Sequence, residues 1–351
     1  MSSSYGNILR LTLFGQSHGP AVGMTLENFP LGFCPDLDEL QTFLNRRAPG
    51  CSPCTTGRKE ADRPEFLSGL ENGKVCGTVL TAVIPNSDAR SSDYDAIQGI
   101  PRPSHADYPA RTKFGEALDL RGGGQFSGRL TAPLCIAGGL CIQYLKSRNI
   151  SVGAQIRQIG SVKNSPMDTL CPTIPSPFAQ PTEEMEKAIL SAAQEGDSLG
   201  GIIECAVTGL PAGVGEVLFG GLESRLSQLL FTIPAVKGVE FGSGFACAEM
   251  TGSQHNDPYY RDKTGAIRTR TNHAGGICGG LSTGMPLIFR VAVKPTPSIA
   301  LSQESISADG PARLEIRGRH DPCIVPRAVP CVEAAAAVGI LDALLEGKLW
   351  T

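Results

Sequence analysis

The sequence predicts an α+β fold, or a sandwich, in preference to a doubly wound sheet. Strand-like and helix-like stretches are mixed along the 351 residues without the regular cadence of a parallel sheet and its crossover helices. The 42 glycines and 26 prolines call for many turns, and no internal repeat or linker divides residues 1–351, so one domain is expected.

Residues 7–14 and 22–27 are apolar and β-branched on either side of Gly15-Gln-Ser-His-Gly-Pro20, which reads as strand, glycine-bounded loop, strand. Asp36 caps a helix that runs to Arg47 and is stopped by Pro49-Gly50. Val75 to Ile84 is a strand. Residues 86–128 are dense in turn signals and are expected to form one long loop. Thr131 to Arg148 is apolar enough for a buried helix despite Gly138-Gly139. Residues 165–181 are a proline-rich surface excursion. Thr182 to Glu195 has an acidic first turn and helical spacing of Met185, Ile189 and Ala192. Ile202 to Val207 and Leu287 to Val293 are strands, and a last helix runs from Glu333 to Glu346 before Gly347.

Composition removes several classes of function. A formal charge of -3 and only 6% aromatic residues do not make the basic, stacking surface of a nucleic-acid binder. No uncharged apolar run reaches the length of a membrane span, and Met1 to Arg10 lacks the pattern of a secretory signal, so a soluble cytoplasmic protein is expected. The 12 cysteines then read as reduced thiols. Cys51-Ser-Pro-Cys54 has zinc spacing but no second ligand pair, and no metal site is expected. No G-x-G-x-x-G opens a helix after a strand, and no phosphate loop ending in Gly-Lys-Ser/Thr occurs.

What remains points to anions. Arg102-Pro-Ser-His-Ala-Asp-Tyr108, Arg111, Arg121-Gly-Gly-Gly124, Ser127 and Arg129 place an imidazole, arginine forks and a glycine-rich turn in one short stretch. Arginine binds phosphate or carboxylate through two parallel N–H groups, and successive glycines let backbone N–H groups approach an anion. All 5 histidines, His18, His105, His255, His273 and His320, lie in turn-like settings, which weakens the reading of packed core imidazoles. Gly318-Arg-His-Asp-Pro322 adds a cation, an imidazole and a carboxylate side by side. Asn272 to Gly280 offers glycine-rich backbone to a planar ligand or phosphate, and Lys294-Pro-Thr-Pro-Ser298 offers a lysine and hydroxyls on a stiffened loop.

In order along residues 15–330, Gly15 to Pro20, Arg46-Arg-Ala-Pro-Gly50, Arg102 to Tyr108, Arg121 to Gly124, Gly196-Asp-Ser-Leu-Gly200, Ala235-Val-Lys-Gly-Val239, Asn272 to Gly284, Lys294 to Ser298 and Gly318 to Pro330 resemble the chorismate synthase family. The resemblance implies a chorismate-synthase-like sandwich of antiparallel β-sheets enclosing central helices, assembled as a homotetramer. It implies a lyase of the shikimate pathway that turns 5-enolpyruvylshikimate 3-phosphate into chorismate by anti-1,4-elimination of phosphate, with reduced FMN and no net redox change. By the same resemblance His18 protonates the departing phosphate and His105 keeps the reduced flavin in its working protonation state. Asp321 assists proton removal at flavin N5, with Ser17 and Ser127 as relays. Arg47, Arg102, Arg129 and Arg319 hold the phosphate and carboxylates. The flavin site comprises Gln125, Phe126, Ser127, Pro234, Ala235, Gly279, Lys294, Pro295, Thr296, Pro297, Ser298 and Arg319. NADPH and an external flavin reductase are the two open routes to the reduced cofactor.

The chain departs from the family pattern at Gln16, Pro53, Pro109-Ala110, Pro234 and most of all at Gln125-Phe126, where the family carries arginine and serine. Those departures keep a second reading open, a non-catalytic flavin- or phosphate-binding relative that retains the fold.

Overall fold

Alternating apolar residues make Ala21–Glu27 and Val79–Pro85 strands, with Val22, Met24 and Leu26 turned inward opposite Ile84, Ala82 and Leu80. In the computed structural model, which describes residues 3–50, 62–77, 79–86, 99–115, 117–175, 180–316 and 321–347, they are the middle of an antiparallel sheet. Its order is Ser4–Tyr5, Arg10–Gly15, Ala21–Glu27, Val79–Pro85, Glu65–Ser68. A second five-stranded sheet is also antiparallel, in the order Val236–Phe241, Leu287–Val293, Gly201–Thr208, Ser151–Ile159, Val162–Lys163.

Among the described residues there are seven α-helices: α1 (Leu37–Arg47), α2 (Asp107–Phe114), α3 (Thr131–Ser147), α4 (Glu183–Gln194), α5 (Leu222–Leu230), α6 (Gly252–His255) and α7 (Val325–Glu346). Helices α3 and α7 pack on each other between the sheets, α3 facing the first and α7 facing the second. Each sheet therefore buries one face against the helical layer. This is the α+β sandwich enclosing central helices.

The middle layer is made possible by small residues. A Cβ on Gly138 of α3 would stand 2.2 Å from the Ala334 Cβ of α7, and one on Gly139 would stand 2.6 Å from Leu40 of α1. The two glycines that weaken α3 as an isolated helix are thus the surface along which its neighbours approach. Helix α7 is long and apolar enough to cross a bilayer by length and composition, but it is almost wholly covered by the protein and carries Arg327, Glu333 and Asp342. It is the core helix of the sandwich.

Several sequence expectations are corrected. The stretch 86–128 is not loop throughout: α2 forms inside it, because Pro109 falls in the first helical turn, where a missing N–H is tolerated, and Gly115 ends it at φ 77°. The last helix starts at Val325 rather than Glu333. Pro326 is in its first turn, and burial of Val329, Pro330 and Cys331 carries the helix through the second proline. The strand expected over 75–84 is two pieces, Lys74–Val75 and Val79–Pro85. Strands Ser151–Ile159 and Val236–Phe241 and helix α5 add to the elements predicted from the sequence; in the first, Val152, Ala154 and Ile156 are buried at alternate positions, whereas the second has no such alternation. Cys51, Pro53 and Cys54 lie outside the described residues. The described cysteines are free thiols, and no group of three His, Cys, Asp or Glu among the described residues is placed to hold a metal ion.

Candidate active site

The loop Gly15 to Pro20 joins two paired strands, and Gly15 (φ 96°) and the Gly19 N–H to Gln16 carbonyl bond (3.1 Å) fold it tightly. Asn86 Nδ2 donates to the carbonyls of Gln16 (3.1 Å) and Gly19 (2.8 Å), and Ser17 N–H donates to Gly124 O (3.2 Å). The loop is thereby tied to the triple glycine. Gly122, Gly123 and Gly124 all have positive φ, and a Cβ on Gly122 would meet the His18 ring at 2.2 Å and Ser17 Oγ at 2.7 Å. Glycine is required here so that the imidazole can lie against the backbone.

His105 follows Ser104, whose φ is 56°. Its Nδ1 is 2.7 Å from Asp107 Oδ1, while Arg102 donates to the same carboxylate through Nε (2.7 Å) and Nη2 (2.8 Å). Burial alone would raise the Asp107 carboxyl, but the hydrogen bonds from Arg102 and His105 hold it well below the usual carboxylate range. Arg102 Nη2 is also 3.0 Å from His105 Nδ1; an ionised carboxylate only accepts, so in the tautomer that bonds Asp107 the Nδ1 carries the proton and Nε2, near Gly123, is the nitrogen not engaged by Asp107 or Arg102.

A second carboxylate organises the other arginines. Asp62, with its side chain fully buried, accepts from Arg47 Nε (2.8 Å) and Nη2 (2.6 Å) and from Arg129 Nη1. Arg47 Nη1 also donates to Thr131 Oγ1 (3.1 Å), and Arg129 Nε donates to Asn86 Oδ1 (2.9 Å). Burial opposes ionisation of Asp62, yet Arg47 and Arg129 keep its carboxyl lowered. Asp321 is held by Arg327 Nη1, and Arg327 Nε donates to the Arg47 carbonyl (2.9 Å).

These groups open on one cavity of about 560 Å³, well within the size of small-molecule sites. Its wall brings together Ser17, His18, Arg47, Arg102, His105 and Asp321. The same wall carries Gln125, Phe126, Ser127, Arg129, Pro234, Ala235, Lys294, Thr296, Pro297 and Ser298. Pro295 is not on the wall, and Gly279 stands in the hairpin turn between Ile277–Cys278 and Leu281–Ser282, away from it. Arg319 and His320 lie outside the described residues. The glycines of Asn272 to Gly280 mostly serve backbone crossings. A Cβ on Gly275 would stand 2.3 Å from Gly242 N, and one on Gly276 2.4 Å from Pro286 O.

Sequence reasoning missed Asp62, Asp107 as a partner of His105, Thr131, Arg327 and Cys331. Asp107 and Arg327 lay inside quoted motifs; Asp62 carries no local signal. The motif Gly196 to Gly200 acts as scaffold. Ser198 Oγ donates to the Thr296 carbonyl (2.7 Å), and Leu199 N–H donates to Pro322 O (2.8 Å), so one loop fixes two walls of the cavity. On one of them the Thr296 Oγ1 is buried without a hydrogen-bond partner. Burial and the nearby Lys237 push the Lys294 ammonium below the usual lysine range.

The chorismate synthase family model matches residues 9–345. A chorismate synthase of Lancefieldella parvula is 44% identical, covering 98% of this chain and 96% of the relative, and one of Korarchaeum cryptofilum is 45% identical, covering 97% of each. A crystal structure of chorismate synthase superposes with a TM-score of 0.76 at 26% identity, over 97% of this chain and 93% of the other.

Proposed function

The chain belongs to the chorismate synthase family of the shikimate pathway, and from that premise we propose that it eliminates phosphate from 5-enolpyruvylshikimate 3-phosphate in an anti-1,4 sense, with reduced FMN bound beside the substrate. The observation that carries the reading is the convergence of His18, His105, Asp321, Arg47, Arg102 and Arg129 on one cavity. Losing phosphate from an allylic carbon needs fixed cations, a proton for the leaving group and a base for the ring proton.

The cavity residues fit a flavin. Thr296 Oγ1 is a buried polar atom lacking a protein partner, Phe126 presents a half-exposed ring, and Gly122 of the triple glycine is on the cavity wall. Gln125, Phe126, Ser127, Pro234, Ala235, Lys294 and the Thr296 to Ser298 segment would hold it, with Arg319 joining by resemblance. Pro295 stiffens that segment, and Gly279 has no part in it within one subunit. When bound, reduced FMN supplies electron density to the breaking C–O bond and takes up the ring proton.

The chain's own groups do the rest. Arg47 and Arg129, aligned by Asp62, receive phosphate or carboxylate, and Arg102 is a third cation at the wall. The His18 imidazole, seated on Gly122, protonates the leaving phosphate. His105, its Nδ1 proton committed to Asp107, offers Nε2 to the ligand side as a donor or acceptor. Asp321, steadied by Arg327, accepts a proton, with the Ser17 and Ser127 hydroxyls as relays.

The protein works in the cytoplasm as a homotetramer. Val217, Leu218 and Phe219 are 62%, 83% and 97% exposed on one segment, a surface suited to burial against another subunit. Reduced FMN comes either from NADPH on this chain or from an external flavin reductase. Anaerobic turnover of 5-enolpyruvylshikimate 3-phosphate with chemically reduced FMN, run beside FMN plus NADPH, tests both points. Chorismate in the first mixture is expected. Folded, FMN-binding protein that yields none in either would mark a non-catalytic relative.

A further inference from the structure

Two cysteines meet under the floor of the cavity. Cys331 of α7 is one of the wall residues, while Cys135 of α3 is completely covered behind it. Their sulfurs are 3.8 Å apart, with the Cys135 thiol donating to Cys331 Sγ. One turn further along both helices Gly138 meets Ala334, so the backbones stay close where the thiols face each other. A disulfide requires the sulfurs to close to about 2.0 Å, a movement that side-chain rotation on closely packed helices supplies.

We infer that Cys331 and Cys135 form an oxidisable pair, in which the Cys331 thiolate attacks a hydroperoxide entering the cavity and the hidden Cys135 resolves the product into a disulfide. The order follows from access, since only Cys331 faces the cavity. It also agrees with acidity. The hydrogen bond from Cys135, working against burial and aided by Arg47, lowers the Cys331 thiol, whereas burial raises that of Cys135 well above the usual range. The Cys331 thiolate displaces hydroxide from hydrogen peroxide and becomes a sulfenic acid. Cys135 then gives its sulfur to that sulfenic sulfur and its proton to the departing hydroxyl as water, so that two thiols and one peroxide become one disulfide and two waters. A dithiol reverses it.

The change falls on the site. Cys331 Sγ donates to the Arg327 carbonyl (3.4 Å), and Arg327 holds Asp321. Turning that sulfur toward α3 releases the contact, so oxidation is expected to remove most turnover; this consequence rests on the reading of the cavity given above.

The test treats the full-length reduced protein with hydrogen peroxide, caps remaining thiols with an alkylating reagent, and maps the digest by mass spectrometry. A Cys135–Cys331 linked peptide that disappears with dithiothreitol is expected. Cys331 driven to sulfinic acid without the link, or both thiols still open to alkylation after unfolding while exposed Cys34, Cys171 and Cys247 have oxidised, would overturn the pairing. In Cys135→Ala, dimedone should trap Cys331 as sulfenic acid, and an unlabelled Cys331 counts against it. Activity is read on the same samples. Linked protein that keeps full turnover refutes the effect on catalysis, whereas reduced protein without turnover faults the functional reading and leaves the mapping to decide the pair.

Discussion

Asp62 Oδ2 accepts from both Nε and Nη2 of Arg47, at 2.8 and 2.6 Å, while its other oxygen takes Arg129. One buried carboxylate thus fixes the direction of two cations that face the same cavity.

Asp62→Asn removes that charge and leaves two buried guanidiniums facing each other. A destabilisation of about 3–5 kcal/mol is expected, together with a raised KM for the phosphorylated substrate. Because the folded carboxyl is held low, its contribution to stability is present above the unfolded value of about 3.9 and is lost as pH falls through the folded value. Acid unfolding curves of the two proteins should converge at the lowest pH. Curves that remain parallel down to full protonation would refute the pairing.

His105→Ala should leave the fold intact and lower turnover by roughly 10²–10⁴-fold, the usual contribution of a positioned acid or base. Asp107→Asn should act in the same direction by releasing the Nδ1 proton from its acceptor. Steady-state rates at saturating reduced FMN decide it, and an unchanged rate in His105→Ala removes the assignment.

Gly122→Ala forces a side chain into the left-handed region at φ 60° and into the His18 ring. Strain of about 1–2 kcal/mol is expected from the backbone alone, with a larger fall in turnover because the imidazole is displaced. Thermal melting and activity, measured together, separate the two effects.

Gln125→Arg should tighten FMN binding. A hydrogen bond to a charged group contributes about 1.5–3 kcal/mol, which corresponds to a Kd lower by roughly tenfold or more. A flavin fluorescence titration showing equal or weaker affinity would place Gln125 away from the cofactor.

Phe219→Asp replaces a ring that is 97% exposed with a charge. If this face closes the proposed homotetramer, sedimentation should show smaller species for the variant than for the parent, with secondary structure unchanged by circular dichroism. A persisting tetramer would move the interface elsewhere.

Local chemistry was legible from the chain. Asp36 capping α1, Thr182 capping α4, the alternation of Ala21–Glu27 and the glycine-bounded His18 loop each depend on neighbours a few residues apart. So did the ordered motifs, and with them the family and most of the cavity wall. Short-range rules misjudged Pro330 and Pro109, because they weigh a missing N–H without the burial or turn position that offsets it. Partnership was decided only in three dimensions. Asp62 reaches Arg129 across 67 residues, and Cys135 reaches Cys331 across 196. The sequence by itself determined the family and the kinds of group, arginine, histidine and carboxylate, that meet at the cavity. The packing of α3 on α7 between two sheets decided which carboxylate aligns which cation, because buried charges must find partners wherever the folded chain brings them.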